Sequence, residues 1–140
     1  MKNSKHEALR WYLQAEDDRK FAEWVLKEGV FFDKGCFLAQ QAGEKVFKAC
    51  LYASEKRTVL GHSLIELGAE LAELAPEFSK IKDQSRRLDR LYIPTRYPNG
   101  LPGGTPLQNF FLEDLQEAVT DLKAVFEVCQ SYLQKLEVLG

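Results

Sequence analysis

The sequence predicts an all-α fold: an up-and-down bundle of four main helices, the third broken near Pro76, with a Pro/Gly-rich loop before the last long helix. Three observations predict it. Apolar residues recur at helical rather than alternating spacing through most of the chain. Helix-capping signatures sit at Ser63 and Thr105. No stretch has the alternation or β-branched enrichment of a strand. The 140 residues suit one domain, read here as 1–140, and a 45% hydrophobic, 29% charged composition suits a globular core.

The first helix is expected from about Ser4 to Glu28, with Ala8, Trp11, Ala15, Ala22, Val25 and Leu26 on one stripe. Asp18 falls inside that stripe. The second runs from about Asp33, a candidate cap, to Glu55. One of its faces carries Cys36, Ala39, Gly43, Val46, Cys50 and Ala53, mostly small side chains that admit a close neighbour, so this helix should be central. The opposite face carries Phe37, Gln41, Glu44, Lys45, Lys48 and Tyr52.

Ser63 and Glu66 have capping-box spacing and open a short helix with Leu64, Leu67, Leu71 and Leu74 inward. Pro76 interrupts it and restarts helix to about Tyr92, using Phe78, Ile81, Leu88 and Leu91. From Ile93 to Gly104, three prolines and three glycines exclude regular helix. Thr105 and Gln108 then read as a second capping box opening the last helix. There Phe111, Leu115, Ala118, Leu122, Val125, Cys129, Tyr132 and Leu136 form a four-three seam that would pack equally well within the chain or against a partner.

Several function classes are excluded or disfavoured. The net charge of −2 gives no global basic field for nucleic acid, though a local patch stays open. No nucleotide-binding glycine loop, serine-hydrolase elbow or zinc-protease motif is present. With two histidines and three well-separated cysteines, neither a metal site nor a cofactor is expected. Cys36, Cys50 and Cys129 read as buried free thiols in a reducing compartment. No apolar run reaches the roughly 18 residues of a membrane span, and the N-terminal stretch lacks a leader's apolar segment, so a cytoplasmic location is expected.

Four places could carry chemistry. Gln41, Glu44, Lys45 and Lys48 share one helix face with Phe37 and Tyr52, a set suited to a phosphate beside a stacked base. The same residues also read as a solvated face with a Glu44–Lys48 ion pair. Asp18 needs a partner if buried, and Lys45 or Lys48 is the candidate: a structural ion pair, or a carboxylate positioning a lysine for an anion. Arg57 and His62, with four residues between them, have the types of a phosphate clamp and general base, while His62 also precedes a helix cap. Arg96 and Tyr97 place a planar cation beside a stacking ring in the loop, as a ligand lid or as packing across the bundle end.

Taken together, these residues resemble the HEPN family, the nucleotide-binding helical domains of higher eukaryotes and prokaryotes. The likeness runs from Trp11 to about Leu133. Ala15-Glu-Asp-Asp18-Arg-Lys-Phe-Ala22 looks like the family's A-x-x-D-L-x-x-A start, with Arg19 in place of Leu. Gln40 to Lys48 is similar to its Q-Q-A-x-E-K-x-x-K helix, with Gly43 where Ala is common. Gly61-His62-Ser63-Leu64 looks like its H-[DS]-L turn, and Arg96-Tyr97-Pro98 matches its R-Y-P loop. The resemblance implies a bundle that often dimerises and works with a small nucleotidyltransferase, commonly as a toxin–antitoxin-type pair. Some branches are metal-independent ribonucleases with an R-x(4–6)-H motif in the last long helix. Here Arg57 and His62 lie earlier, and the last helix holds neither Arg nor His. The chain looks more like the non-nucleolytic branch. The expected nucleotide site is Gln41, Lys45, Lys48, His62, Arg96 and Tyr97. Two alternatives stay open: a ribonuclease toxin using His62 with Arg57 or Arg96, and a structural dimer subunit without ligand.

Overall fold

A computed structural model describes residues 3–56 and 59–140. Among them are six α-helices and no strand, and the expected bundle forms. Helix α1 (Ser4–Glu28) starts where the Asn3 side chain accepts from the amides of Lys5 and His6 at 3.0 and 3.2 Å. It stops at Gly29, whose φ of 73° is one that glycine adopts without Cβ strain. Ala8, Ala15, Ala22 and Val25 are buried against α2 (Phe32–Ala53), with Tyr12 taking the place expected of the half-buried Trp11.

Helix α2 is the centre of the bundle, packed by α1, α3 (Leu64–Leu74), α4 (Lys82–Asp89) and α6 (Leu112–Lys135). Its small residues allow this. A Cβ at Gly43 would lie 2.6 Å from a Leu64 methyl, so α3 can approach only because the side chain is missing. Asp33 does not cap α2. The helix begins one residue earlier, from Phe31 in the left-handed region, and leaves Asp33 buried in the first turn. There the carboxylate faces the positive helix end. One oxygen meets Lys34 at 3.1 Å and the other lacks a hydrogen-bond partner.

The start of α3 is held from a distance. Ser63 caps the Glu66 amide at 3.3 Å, but the Asp89 carboxylate also accepts from the Leu64 and Ile65 amides, at 2.6 and 3.0 Å, and from the Ser63 hydroxyl at 2.8 Å. Leu64, Leu67 and Leu71 are buried as expected, whereas Leu74 faces out at the last turn. Pro76 breaks the helix. The chain continues as a 3-10 turn over Pro76–Ile81 and then as α4, which ends at Asp89 rather than Tyr92. Hydrogen-bonded turns carry it on to Tyr97.

The second capping box forms in both directions, yet opens only the one-turn helix α5 (Pro106–Asn109). Phe110 and Phe111 are extended, and the long helix restarts at Leu112, with the Asp114 carboxylate accepting from the Phe111 amide at 2.7 Å. Phe111 is therefore off the seam and exposed. From Leu115 to Tyr132 the seam is buried within the chain, so it is not a free face for a partner helix. A bidentate Arg87–Asp121 pair, both bonds 2.9 Å, fastens α4 to α6. Cys36, Cys50 and Cys129 are free and buried, and burial pushes the Cys36 thiol up to about 12. No helix among the described residues is long and apolar enough to cross a membrane.

Candidate functional site

The side of α2 turned away from α6 lies between two walls. Trp11, Gln14 and Asp18 of α1 stand on one side. His62, Tyr92, Arg96 and Tyr97 stand on the other, brought there by the segment before α3 and the turns after α4. Helical spacing alone aligns Phe37, Gln41, Glu44, Lys45, Lys48 and Tyr52 as the floor.

The two lysines are both engaged. Lys45 Nζ lies 2.6 Å from Asp18 Oδ2, and Gln14 donates to the other Asp18 oxygen at 3.2 Å. This supplies the buried carboxylate with a countercharge. Lys48 Nζ lies 3.1 Å from Glu44 Oε2, with side chains only 7% and 6% exposed. Its ammonium also sits 5.4 Å from the Trp11 ring centre, and Trp11 stacks on Tyr52 at 5.8 Å. Glu44 and Lys48 do not form the solvated pair that helical spacing allows. The pair is instead buried, where desolvation makes it costly unless well partnered.

His62 and Arg96 both contact the Tyr92 ring. The imidazole stacks on that ring at 5.6 Å with planes 16° apart, and its Nδ1 lies 3.2 and 3.3 Å from the two Glu44 oxygens. The Arg96 guanidinium sits 4.4 Å from the Tyr92 centroid, 4.8 Å from Phe37 and 4.9 Å from Tyr97. Its Nε donates to the Tyr92 carbonyl at 2.9 Å. Among the described residues that line the groove, Arg96 alone is a cation without a carboxylate partner. Gln41 donates to Gln40 at 2.8 Å, and the fully buried Gln40 keeps an amide nitrogen with no partner. Beyond the α1 wall, Glu7, Arg10, Trp11, Leu13, Gln14 and Lys45 line an open depression of about 630 Å³.

Of the expected residues, Lys48, His62 and Arg96 are linked through Glu44 and Tyr92, Lys45 and Gln41 stand beside them on α2, and the half-exposed Tyr97 touches Arg96. Arg57 lies outside the described residues. Sequence reasoning missed Trp11 as a wall, because its spacing matched the core stripe, and missed Tyr92, which had no motif to mark it. No cluster of metal-ligating side chains occurs among the described residues.

Fold and groove together define a helical bundle built around one helix that is dry on one face and ion-paired on the other. The model of the HEPN domain matches residues 8–132, and the chain belongs to the HEPN domain family. It is similar in structure to a protein of Thermus thermophilus, with a TM-score of 0.79 and 29% identity over 89% of this chain and 97% of the other. An archaeal HEPN homologue superposes with a TM-score of 0.73 and 26% identity over 95% and 99% of the two chains. A HEPN domain protein from Thermotoga maritima, at a TM-score of 0.69 and 24% identity over 89% and 98%, shares the fold. No curated protein matches the sequence.

Proposed function

We propose that this chain is a nucleotide-binding module that works with a partner nucleotidyltransferase as one half of a toxin–antitoxin-type pair, and that it is not itself an enzyme. One observation carries the binding half: His62 and Arg96 converge on the Tyr92 ring beside the polar face of α2. A guanidinium fork suits a phosphate, an imidazole adds a donor, and the half-exposed Tyr97 ring suits a base. The partner half rests on family membership. Calorimetric titration with ATP and GTP tests the binding half. Heat of binding that falls with Arg96→Ala supports it, and no heat at millimolar nucleotide overturns it.

A second reading is favoured by the same convergence. His62 Nδ1 is held by Glu44, which leaves Nε2 to act as a base, and Arg96, on the same Tyr92 ring, would be the clamp. That is the arrangement a metal-independent ribonuclease needs, although α6 carries neither Arg nor His. RNA cleavage by purified wild type but not by His62→Ala selects this reading; equal cleavage by both rejects it. In either reading a homodimer is proposed, to be checked by light scattering.

A further inference from the structure

Resting on the nucleotide-binding reading, the geometry points to a ligand that carries one phosphate per ring, a nucleoside monophosphate unit, and not to a nucleoside triphosphate. The counting of charges along the groove carries this. Lys45 is held by Asp18 at 2.6 Å, and Lys48 by Glu44 at 3.1 Å. Each lysine's charge is already balanced by its carboxylate, so a phosphate beside it meets a neutral pair and gains a full countercharge only if the lysine leaves. Asp18 and Glu44 side chains are only 8% and 6% exposed, so each would be left as an unpaired buried charge. Removing one partner of such a pair is strongly unfavourable, and a solvent-facing contact from the 24% exposed Lys45 to a phosphate returns much less, while Lys48 is buried at 7%. The same two carboxylates repel any phosphate that approaches the α2 face.

Arg96 is different. Its guanidinium is fixed by the Nε bond to the Tyr92 carbonyl and by three surrounding rings, and no carboxylate neutralises it. His62 stands on the same Tyr92 ring. The groove therefore offers one cation that no carboxylate holds, the Arg96 guanidinium, which suits one phosphate. Tyr97 lies 4.9 Å from the guanidinium and is 50% exposed, so a base can stack on it while its phosphate reaches Arg96. A free nucleoside monophosphate and a residue of single-stranded RNA offer the same chemistry.

The test is a calorimetric comparison of adenosine, AMP, ATP and a short single-stranded oligoadenylate on the full chain. AMP is expected to bind at least tenfold more tightly than adenosine, and ATP within threefold of AMP. Arg96→Ala should erase the AMP advantage. Asp18→Asn, which releases Lys45, should raise the preference for ATP over AMP at least fivefold; Asp18→Ser gives the same test where Asp18→Asn fails to fold. Oligoadenylate tighter than AMP by tenfold assigns the single phosphate to an RNA chain, and equal affinity assigns it to the free nucleotide. ATP tighter than AMP by tenfold in the wild type overturns the inference while leaving the nucleotide-binding reading in place. Adenosine equal to AMP overturns it as well. No binding by any of the four overturns both.

Discussion

The two long faces of α2 obey different physics. Toward α6 it presents Ala39, Val46 and Cys50, each fully buried, with Gly43 admitting Leu64 and Leu122. Such a face stabilises the fold through removal of apolar surface and close packing. Toward α1 and His62 it presents Glu44, Lys45 and Lys48 in ion pairs, with Glu44 and Lys48 about as hidden from water as the buried Tyr12. A buried pair often contributes less than well-packed hydrophobic residues of the same volume. The difference teaches that the polar face is not what holds the bundle together. What that face does hold is His62, whose Nδ1 lies 3.2 and 3.3 Å from the Glu44 oxygens.

The largest effect should come from the dry side of the bundle. Phe47 is fully buried and packs edge-on against Phe78 at 6.2 Å. Phe47→Ala should lower unfolding free energy by about 3–5 kcal/mol in urea denaturation. A loss near zero would mean that α3 and its 3-10 extension do not depend on α2.

The polar side should respond with a change of sign. Lys48→Ala leaves Glu44 buried beside His62, and should cost about 3 kcal/mol by the same measurement. Glu44→Leu combined with Lys48→Met removes both charges and should leave stability unchanged or raise it by about 1–4 kcal/mol. If the double variant is less stable than Lys48→Ala, the pair is a structural element and the contrast between the faces fails.

A smaller effect is expected at α3. Asp89 accepts from the Leu64 and Ile65 amides, so Asp89→Ala should cost about 1 kcal/mol, as helix caps do. This can be read as a shift of the denaturation midpoint.

The smallest effect concerns the thiols. Burial, with Asp114 and Asp33 nearby, pushes Cys36 up to about 12. In the unfolded chain a thiol titrates near 8.5. The unfolded state therefore loses its proton first, and the contribution of Cys36 is full below about pH 8.5. It is lost as pH rises from there toward 12. Native protein at neutral pH should not react with iodoacetamide at Cys36, and denaturation at rising alkaline pH should come progressively earlier.

Much of the fold was legible because long amphipathic helices write their buried face at a fixed period. That held for α1, α2 and α6 and for the break at Pro76. What was not legible depends on the third dimension. Thr105 and Gln108 form their capping box as spaced, but nothing local says that the helix lasts one turn before Phe110 and Phe111 extend. Asp89 caps a helix that begins 25 residues earlier, a bond no local pattern announces. In the groove, the residue types on α2 were visible at helical spacing, as was the need of Asp18 for a lysine. Which lysine it takes, and that Glu44 binds both Lys48 and His62, depends on how α1 and the segment before α3 pack. Arg96 stood out in the loop, yet the three rings that hold it come from α2 and from the turns around it.

The central claim is that the Glu44–Lys48 pair does not hold the bundle together, and that in the proposed nucleotide site Glu44 acts by holding His62. The most direct test is nucleotide titration of the Glu44→Leu/Lys48→Met variant beside the wild type, with unfolding free energy measured on the same samples. The account predicts a folded variant at least as stable as the wild type, with nucleotide affinity reduced tenfold or more because His62 has lost the carboxylate that holds it. A variant that binds nucleotide as the wild type does, or a wild type that binds none, would contradict it.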